Sequence, residues 1–429
     1  MELKVATMKN EMKQETFIPV TRFALREALV NQAEESGEKS TLVELFQVLG
    51  LWRHQEYYQR LLVLKECYLP FSPDRDTVRA LTYSKEELTQ LQKKLIQGVN
   101  HLLERGNYSH IDEEQLNLLF STNSAHGLKL SVDQTEYDEM LLFSRGIGSE
   151  TLVKQNWQTF FKKQTTKIPT FKRLFLLFKL KDEDARVAEL MTERQVDEKK
   201  ARKIVQRNRR QLPRDDKGSH VYLKIFKNIP QEDVEMMFPN TNVQFKLFDK
   251  IKLTVTAGGG TVAGVASSAT KIAAAAAAAN PITLAGGILG LSGIVLRQVL
   301  SFFNTRNRYM LTLSTRLYFH ALADNRGALT LLCDRGEEED VKEEMLLYWF
   351  LHLRPTSKEK LDGLRKRIEQ YLFKQFGVEI RFDLYDALER LEGDGLATTD
   401  AQGIVSVTQP AQASVLLQQK LQSVFFVET

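Results

Sequence analysis

The feature that most constrains this chain is the run from Leu253 to Phe303, LTVTAGGGTVAGVASSATKIAAAAAAANPITLAGGILGLSGIVLRQVLSFF, where a mostly charged sequence gives way to Ala, Gly and aliphatic residues. Asn280-Pro281 divides it into arms of 27 and 23 residues. Each exceeds the ~20 residues that a helix needs to cross a bilayer, and Pro281 suits the first turn of a second helix. From Met236 to Ala323 the one acidic residue is Asp249, against eight basic ones, six of which flank the arms. Excess Lys and Arg resist translocation, so both flanks are expected on one side and the uncharged tip, Asn280 to Thr283, on the other. The expectation is a two-helix transmembrane hairpin. It implies a bacterial inner membrane with the remaining domains cytoplasmic, or the mitochondrial inner membrane in a eukaryote.

Several residues refine that expectation. Gly260 and Gly264 on one arm, and Gly286 and Gly290 on the other, repeat at four-residue spacing and would let two backbones approach closely. Lys271 and Arg297 are charges within the arms, where a central cation costs roughly 2.5–3.5 kcal/mol, so each must snorkel or face a polar interior. The bland alternative is an Ala/Gly-rich hairpin buried in a soluble core. Nucleotide readings fail: Gly258 to Ala263 has the shape of a dinucleotide turn, but no acid occurs between Asp249 and Asp324 to hold a ribose. A phosphate-binding loop fails too, because Val265-Ala266 stand where Lys-Ser/Thr should follow Gly264. No cofactor is expected.

Composition bounds the rest. At 429 residues, 43% hydrophobic and 27% charged, the chain is long enough for two or three domains beside the hairpin. Cys67 and Cys333 lie far apart with no CxxC, which fits a reducing compartment and leaves no cysteine-based metal site. The N-terminus has neither a signal core nor a transit-peptide composition. Residues 335–429 hold 12 basic and 17 acidic side chains, leaving 47 and 38 elsewhere, so an anionic partner belongs to the earlier part.

Residues 1–126 read as a helical domain, with Leu42, Leu45, Phe46 and Leu49 on one helix face. Residues 127–252 read as an α+β domain. Strands are expected at Leu128–Val132, Met140–Arg145, Arg173–Lys181, Val221–Lys227 and Val243–Leu253, with one long charged helix over 182–211 between the third and fourth. Its second half is basic: Lys199, Lys200, Arg202, Lys203, Arg207, Arg209 and Arg210 are candidates for contact with anionic lipid headgroups, since each cation near such a surface contributes ~1 kcal/mol. A solvated helix face is the alternative. The segment lacks the interleaved aromatics of a nucleic-acid platform. Glu232, Asp233 and Glu235 open a short proline-bounded helix, where acids complement the dipole; a catalytic carboxylate pair is the sharper but weaker reading.

After the hairpin, residues 304–334 read as a connecting helix. Residues 335–429 give helix, helix, helix and a two-stranded hairpin, the order of a winged helix. Asp383, Asp386, Glu389 and Glu392 on its third helix would repel phosphates, so no nucleic-acid partner is expected.

KIFKNIPQEDVEMMFPNTNVQFKLFDKIKL, RLYFHALADNRGALTLLCDRGEEEDVKEEMLLYWFL and FDLYDALERLEGDGLA resemble blocks of the family called domain of unknown function 3754, which includes mitochondrial transmembrane protein 143. FIPVTRFALREAL and LLFSRG are similar to its earlier blocks. The resemblance implies a membrane protein with a hairpin between soluble blocks, and it supplies no catalytic residues. The fold expected is therefore an α+β, multi-domain membrane protein. Its expected role is an integral membrane scaffold or adaptor, not an enzyme, with lipid and a protein partner or further copies of itself as contacts. The alternatives are an oligomeric pore and a membrane-associated enzyme using Asp233 and Glu235.

Overall fold

The computed structural model describes residues 15–33, 38–74, 81–121, 128–155, 163–209, 212, 216, 218–238, 242–245, 311 and 318–425. Two helices come first, α1 (Arg22–Gln32) and α2 (Lys39–Tyr68). The next, α3 (Lys85–Arg105), is opened by a capping box in which Ser84 Oγ accepts from the Glu87 N–H and the Glu87 carboxylate accepts from the Ser84 N–H. Two otherwise orphaned donors are satisfied in this way. Then come β1 (Ser109–His110), α4 (Glu113–Ser121), β2 (Leu128–Ser131), β3 (Tyr137–Gln155) and β4 (Lys163–Leu180).

The single helix expected over 182–211 is two, α5 (Glu183–Arg194) and α6 (Glu198–Asn208). Gln195 takes a left-handed backbone, φ 50°, which ends α5, and the extended Asp197 starts α6. The break lets the short apolar stripes fold on each other, Val187 and Leu190 against Ala201 and Val205. A straight helix would have left both stripes in water.

The remainder is β5 (Val221–Pro230), β6 (Asn242–Phe245), β7 (Ala321–Asp324), α7 (Asn325–Leu353), β8 (Thr356–Ser357), α8 (Leu361–Phe376), α9 (Leu384–Gly393), β9 (Ala397–Thr399), β10 (Ile404–Val407) and α10 (Pro410–Phe425). The main sheet has the order β1-β3-β4-β5-β7, antiparallel throughout. Successive side chains of a strand point to opposite faces, and here both faces are covered. Phe143, Phe175, Leu177, Leu223 and Ile225 lie beneath α2, α3 and α7. Leu142, Leu174, Leu176, Phe178 and Phe226 meet Leu116 of α4 and Val234, Met237 and Phe238. Double burial explains why β4 reads as a nearly unbroken apolar run, LFLLFKL.

Packing also cuts across the divisions drawn on the sequence. β1 and β7 extend the sheet beyond residues 127–252, and residues 321–324, expected to be helical, are a strand because they complete the free edge of β5. A division at 334 falls inside α7. Leu25, Leu29, Leu42 and Phe46 of α1 and α2 share one core with Leu346, Ile368, Leu388 and Leu417, so the N-terminal helices and the C-terminal unit are packed as one body. In that unit β8 adds to the hairpin, giving the order β8-β10-β9.

The membrane-protein class is corrected. Among the described residues no helix is long and apolar enough to cross a membrane. The two longest, α2 and α7, have the length but carry buried charge: Arg53 lies within α2, and Glu339, Asp340, Lys342, Glu343 and Glu344 within α7. The observed class is a mixed helix and strand protein, and no described helix supplies the span that an integral-membrane scaffold or pore needs. The run Leu253 to Phe303, including Gly260, Gly264, Lys271, Gly286, Gly290 and Arg297, lies outside the described residues.

Candidate functional site

Two concentrations of charge stand out, one exposed and one buried. The exposed one is α6. At 100° per residue, Lys199, Lys203, Arg207 and Lys200 project within an arc of about 100°, and the arc runs about 12 Å along the helix. Ala201 and Val205 occupy the opposite side, buried against α5. All four cations are exposed, and none has an ion pair or side-chain hydrogen bond among the described residues.

The other members of the predicted basic set have different duties. Arg202 is half-buried and paired with Asp184 at 3.0 Å, Glu198 at 3.0 Å and Glu183 at 3.5 Å. Arg209 is buried; it donates to the Lys181 carbonyl at 2.7 Å and lies 3.6 Å from Glu136, holding the end of α6 against β4. Arg210 lies outside the described residues. The structure therefore separates the six described members into four cations on one face with no partner among the described residues and two structural ones. Asp233 sits half-buried in the turn Gln231–Met237 and has a partner of its own, and the Glu235 side chain lies outside what is described.

The buried concentration is centred on residues 339–344 of α7, none of which the sequence marked as a site. Glu339, Asp340, Lys342, Glu343 and Glu344 are at most 2% exposed. Arg390 of α9 reaches Asp340 at 3.2 Å, Glu343 at 2.6 Å and Glu344 at 2.6 Å, and pairs with Asp386 one turn earlier. Arg53 of α2 holds Glu344 at 2.9 Å and also pairs with Glu56 and Asp394. Tyr57 donates to Asp340 at 2.7 Å, and Arg105 reaches the same carboxylate at 3.1 Å. Glu339 accepts the Ile18 N–H at 2.6 Å, while Lys342 lies 2.7 Å from Glu339 and donates to the Ile18 carbonyl at 2.6 Å. The last three contacts fix the segment entering α1.

Burial pushes the Glu339, Glu343 and Glu344 carboxyls up, Glu343 the furthest because Glu339 and Asp340 repel its charged form. Burial alone would pull Arg390 down; Asp340, Glu343, Glu344 and Asp386 outweigh it and hold the guanidinium well above its usual range. Asp340, Glu343 and Asp386 are close enough to share a metal ion, with ligand oxygens within 4.8 Å of one another. The position between them is already filled, since Arg390 contacts all three carboxylates. The cluster is thus a guanidinium site, and its chemistry is the joining of α2, α7 and α9.

Residues 171–327 match the family model described as "Protein of unknown function (DUF3754)". The match runs from the middle of β4 to the first residues of α7 and includes the whole of α6. It supports the resemblance read from IPQEDVEMMFP at that level. No solved structure matches the chain.

Proposed function

We propose that this chain is a binding protein, not a catalyst, that docks on anionic lipid headgroups through the free face of α6. The observation that carries the reading is the separation within one helix: Lys199, Lys200, Lys203 and Arg207 lie together and unpaired among the described residues, while Arg202 on the flank is neutralised by three carboxylates. Unpaired surface cations at about 1 kcal/mol each sum to an association that salt weakens. The 12 Å reach suits a cluster of headgroups, and no aromatic side chain interleaves the cations as base stacking would require. Kinship with mitochondrial transmembrane protein 143 is a finer proposal that rests on the resemblance to the family as a whole, whose earlier blocks FIPVTRFALREAL and LLFSRG resemble outside residues 171–327.

The test is co-sedimentation of the full chain with phosphatidylserine and with neutral phosphatidylcholine vesicles. Changing all four cations to Gln should weaken the serine-lipid component by roughly 100-fold or more and leave the neutral component unchanged, while Arg202→Gln should have little effect. Equal binding by the quadruple variant would reject the reading. Loss of duplex DNA binding in that variant, with vesicle binding intact, would replace lipid by nucleic acid.

A further inference from the structure

Three cations stand side by side across the centre of the sheet. Arg145 of β3 is directly opposite Arg173 of β4, and Arg173 is directly opposite Lys227 of β5. Residues paired in this way share a face, with Cβ atoms about 5 Å apart, and like charges at that spacing destabilise the sheet. A fold usually relieves such a row with a carboxylate. Nearby cations are relieved: Lys172 pairs with Glu15, and Arg335 pairs with Glu338 at 2.9 Å. Arg145, Arg173 and Lys227 have no carboxylate within ion-pair distance among the described residues.

The first of the three is also held in place. Arg145 is 7% exposed, with its guanidinium 4.0 Å from the Phe17 ring and 4.8 Å from the Tyr108 ring, and it donates to the Gly106 carbonyl at 3.0 Å. Burial pulls its pKa down, and Arg173 and Arg335 act in the same sense against Tyr108 and Glu339. A buried guanidinium clamped between rings, with a second arginine and a lysine beside it and Glu339 acting on it only from beyond ion-pair distance, has room in its charge balance for an anion.

We infer that Arg145, Arg173 and Lys227 form a binding site for a single phosphate group. The planar forks of two arginines match phosphate oxygens, and a fixed guanidinium loses little freedom on binding. Three adjacent strands span only about 10 Å, which fits one phosphate and not a polyanion. The site is independent of α6. Its phosphate comes from a free phosphate or phosphate ester, or from a lipid headgroup.

The experiment is isothermal titration of the full chain with inorganic phosphate in chloride buffer at constant ionic strength, on the wild type, Arg173→Gln/Lys227→Gln and the α6 quadruple variant. The wild type and the quadruple variant should bind alike, and the double variant at least ~10-fold more weakly. In phosphate-free buffer the double variant should unfold at the same temperature as the wild type or higher, because like-charge repulsion is relieved; added phosphate should raise the midpoint of the wild type only. A second arm, phosphatidic acid against phosphatidylcholine vesicles in the α6 quadruple background, separates the sources: acid-specific binding lost with Arg173→Gln/Lys227→Gln, without a response to inorganic phosphate, assigns the site to a headgroup. Absence of binding in both arms overturns the site, as does equal binding by the double variant. A lower midpoint or failed folding of that variant in chloride also overturns it, since the two side chains would then be structural.

Discussion

Residues 339–344, Glu-Asp-Val-Lys-Glu-Glu, and residues 198–203, Glu-Lys-Lys-Ala-Arg-Lys, are helical segments of six residues with five charges each. In α7 all five charged side chains are buried and bonded; in α6 they are exposed or half-exposed, and three of the four cations have no partner among the described residues. Local charge density does not distinguish the two. What differs is the supply of partners from elsewhere: Arg53 is 291 residues from Glu344 and Arg390 is 46, and both are carried to α7 by helices sharing its core. Among the described residues no distant element brings carboxylates to the free face of α6.

The comparison breaks most sharply at Arg390. Arg390→Met should destabilise the fold by about 3–5 kcal/mol, because it strands Asp340, Glu343 and Glu344 without their main counter-charge. Urea unfolding measures this, and a loss below about 1 kcal/mol would mean that the buried network is not what joins α9 to α7.

The next test uses pH. Burial raises the Glu343 carboxyl well above its ordinary value, so the folded chain holds this proton more tightly than the unfolded chain. Stability from that proton is complete below the unfolded carboxylate value near ~4.3 and is lost as pH rises towards the folded value, by up to ~1.4 kcal/mol per pH unit for one group. The wild-type urea midpoint should fall over that window, and Glu343→Gln should flatten the fall by its share while Glu339 and Glu344 retain theirs. If Glu343 is instead ionised against Arg390, the Gln variant will be weaker at every pH and the slope will not change.

A smaller effect is expected on α6. Arg202→Gln removes three solvent-screened surface pairs and should leave the urea midpoint close to that of the wild type in the same assay. A larger loss would place α6 with α7 as a helix whose charges hold the fold.

The sequence exposed those features that depend on near neighbours. Strands β9 and β10 follow from the two-stranded hairpin read near the end of residues 335–429, which turns at Asp400 to Gly403. The basic face of α6 was visible for the same reason. The break at Gln195 was not, because glutamine carries no turn signal and only the gain from folding two short apolar stripes together decides it. The buried network was not visible either. Glu339 to Glu344 have the composition of a solvated helix start, and their burial depends on Arg53, Arg105 and Arg390, whose distance along the chain has no local pattern. Arg145, Arg173 and Lys227 lie in three expected strands, but their alignment depends on the register of two strand pairs.

The most direct test is one matched substitution at two sites. Lys342 on α7 is buried between Glu339 and the Ile18 carbonyl, and Lys203 on α6 is exposed and unpaired among the described residues. Urea unfolding of Lys342→Gln and Lys203→Gln, side by side at neutral pH, should show a loss of about 3 kcal/mol for the first and a change within about 0.5 kcal/mol for the second. Equal effects at the two sites would contradict the division between a charge network that builds the fold and a cationic face left free to bind.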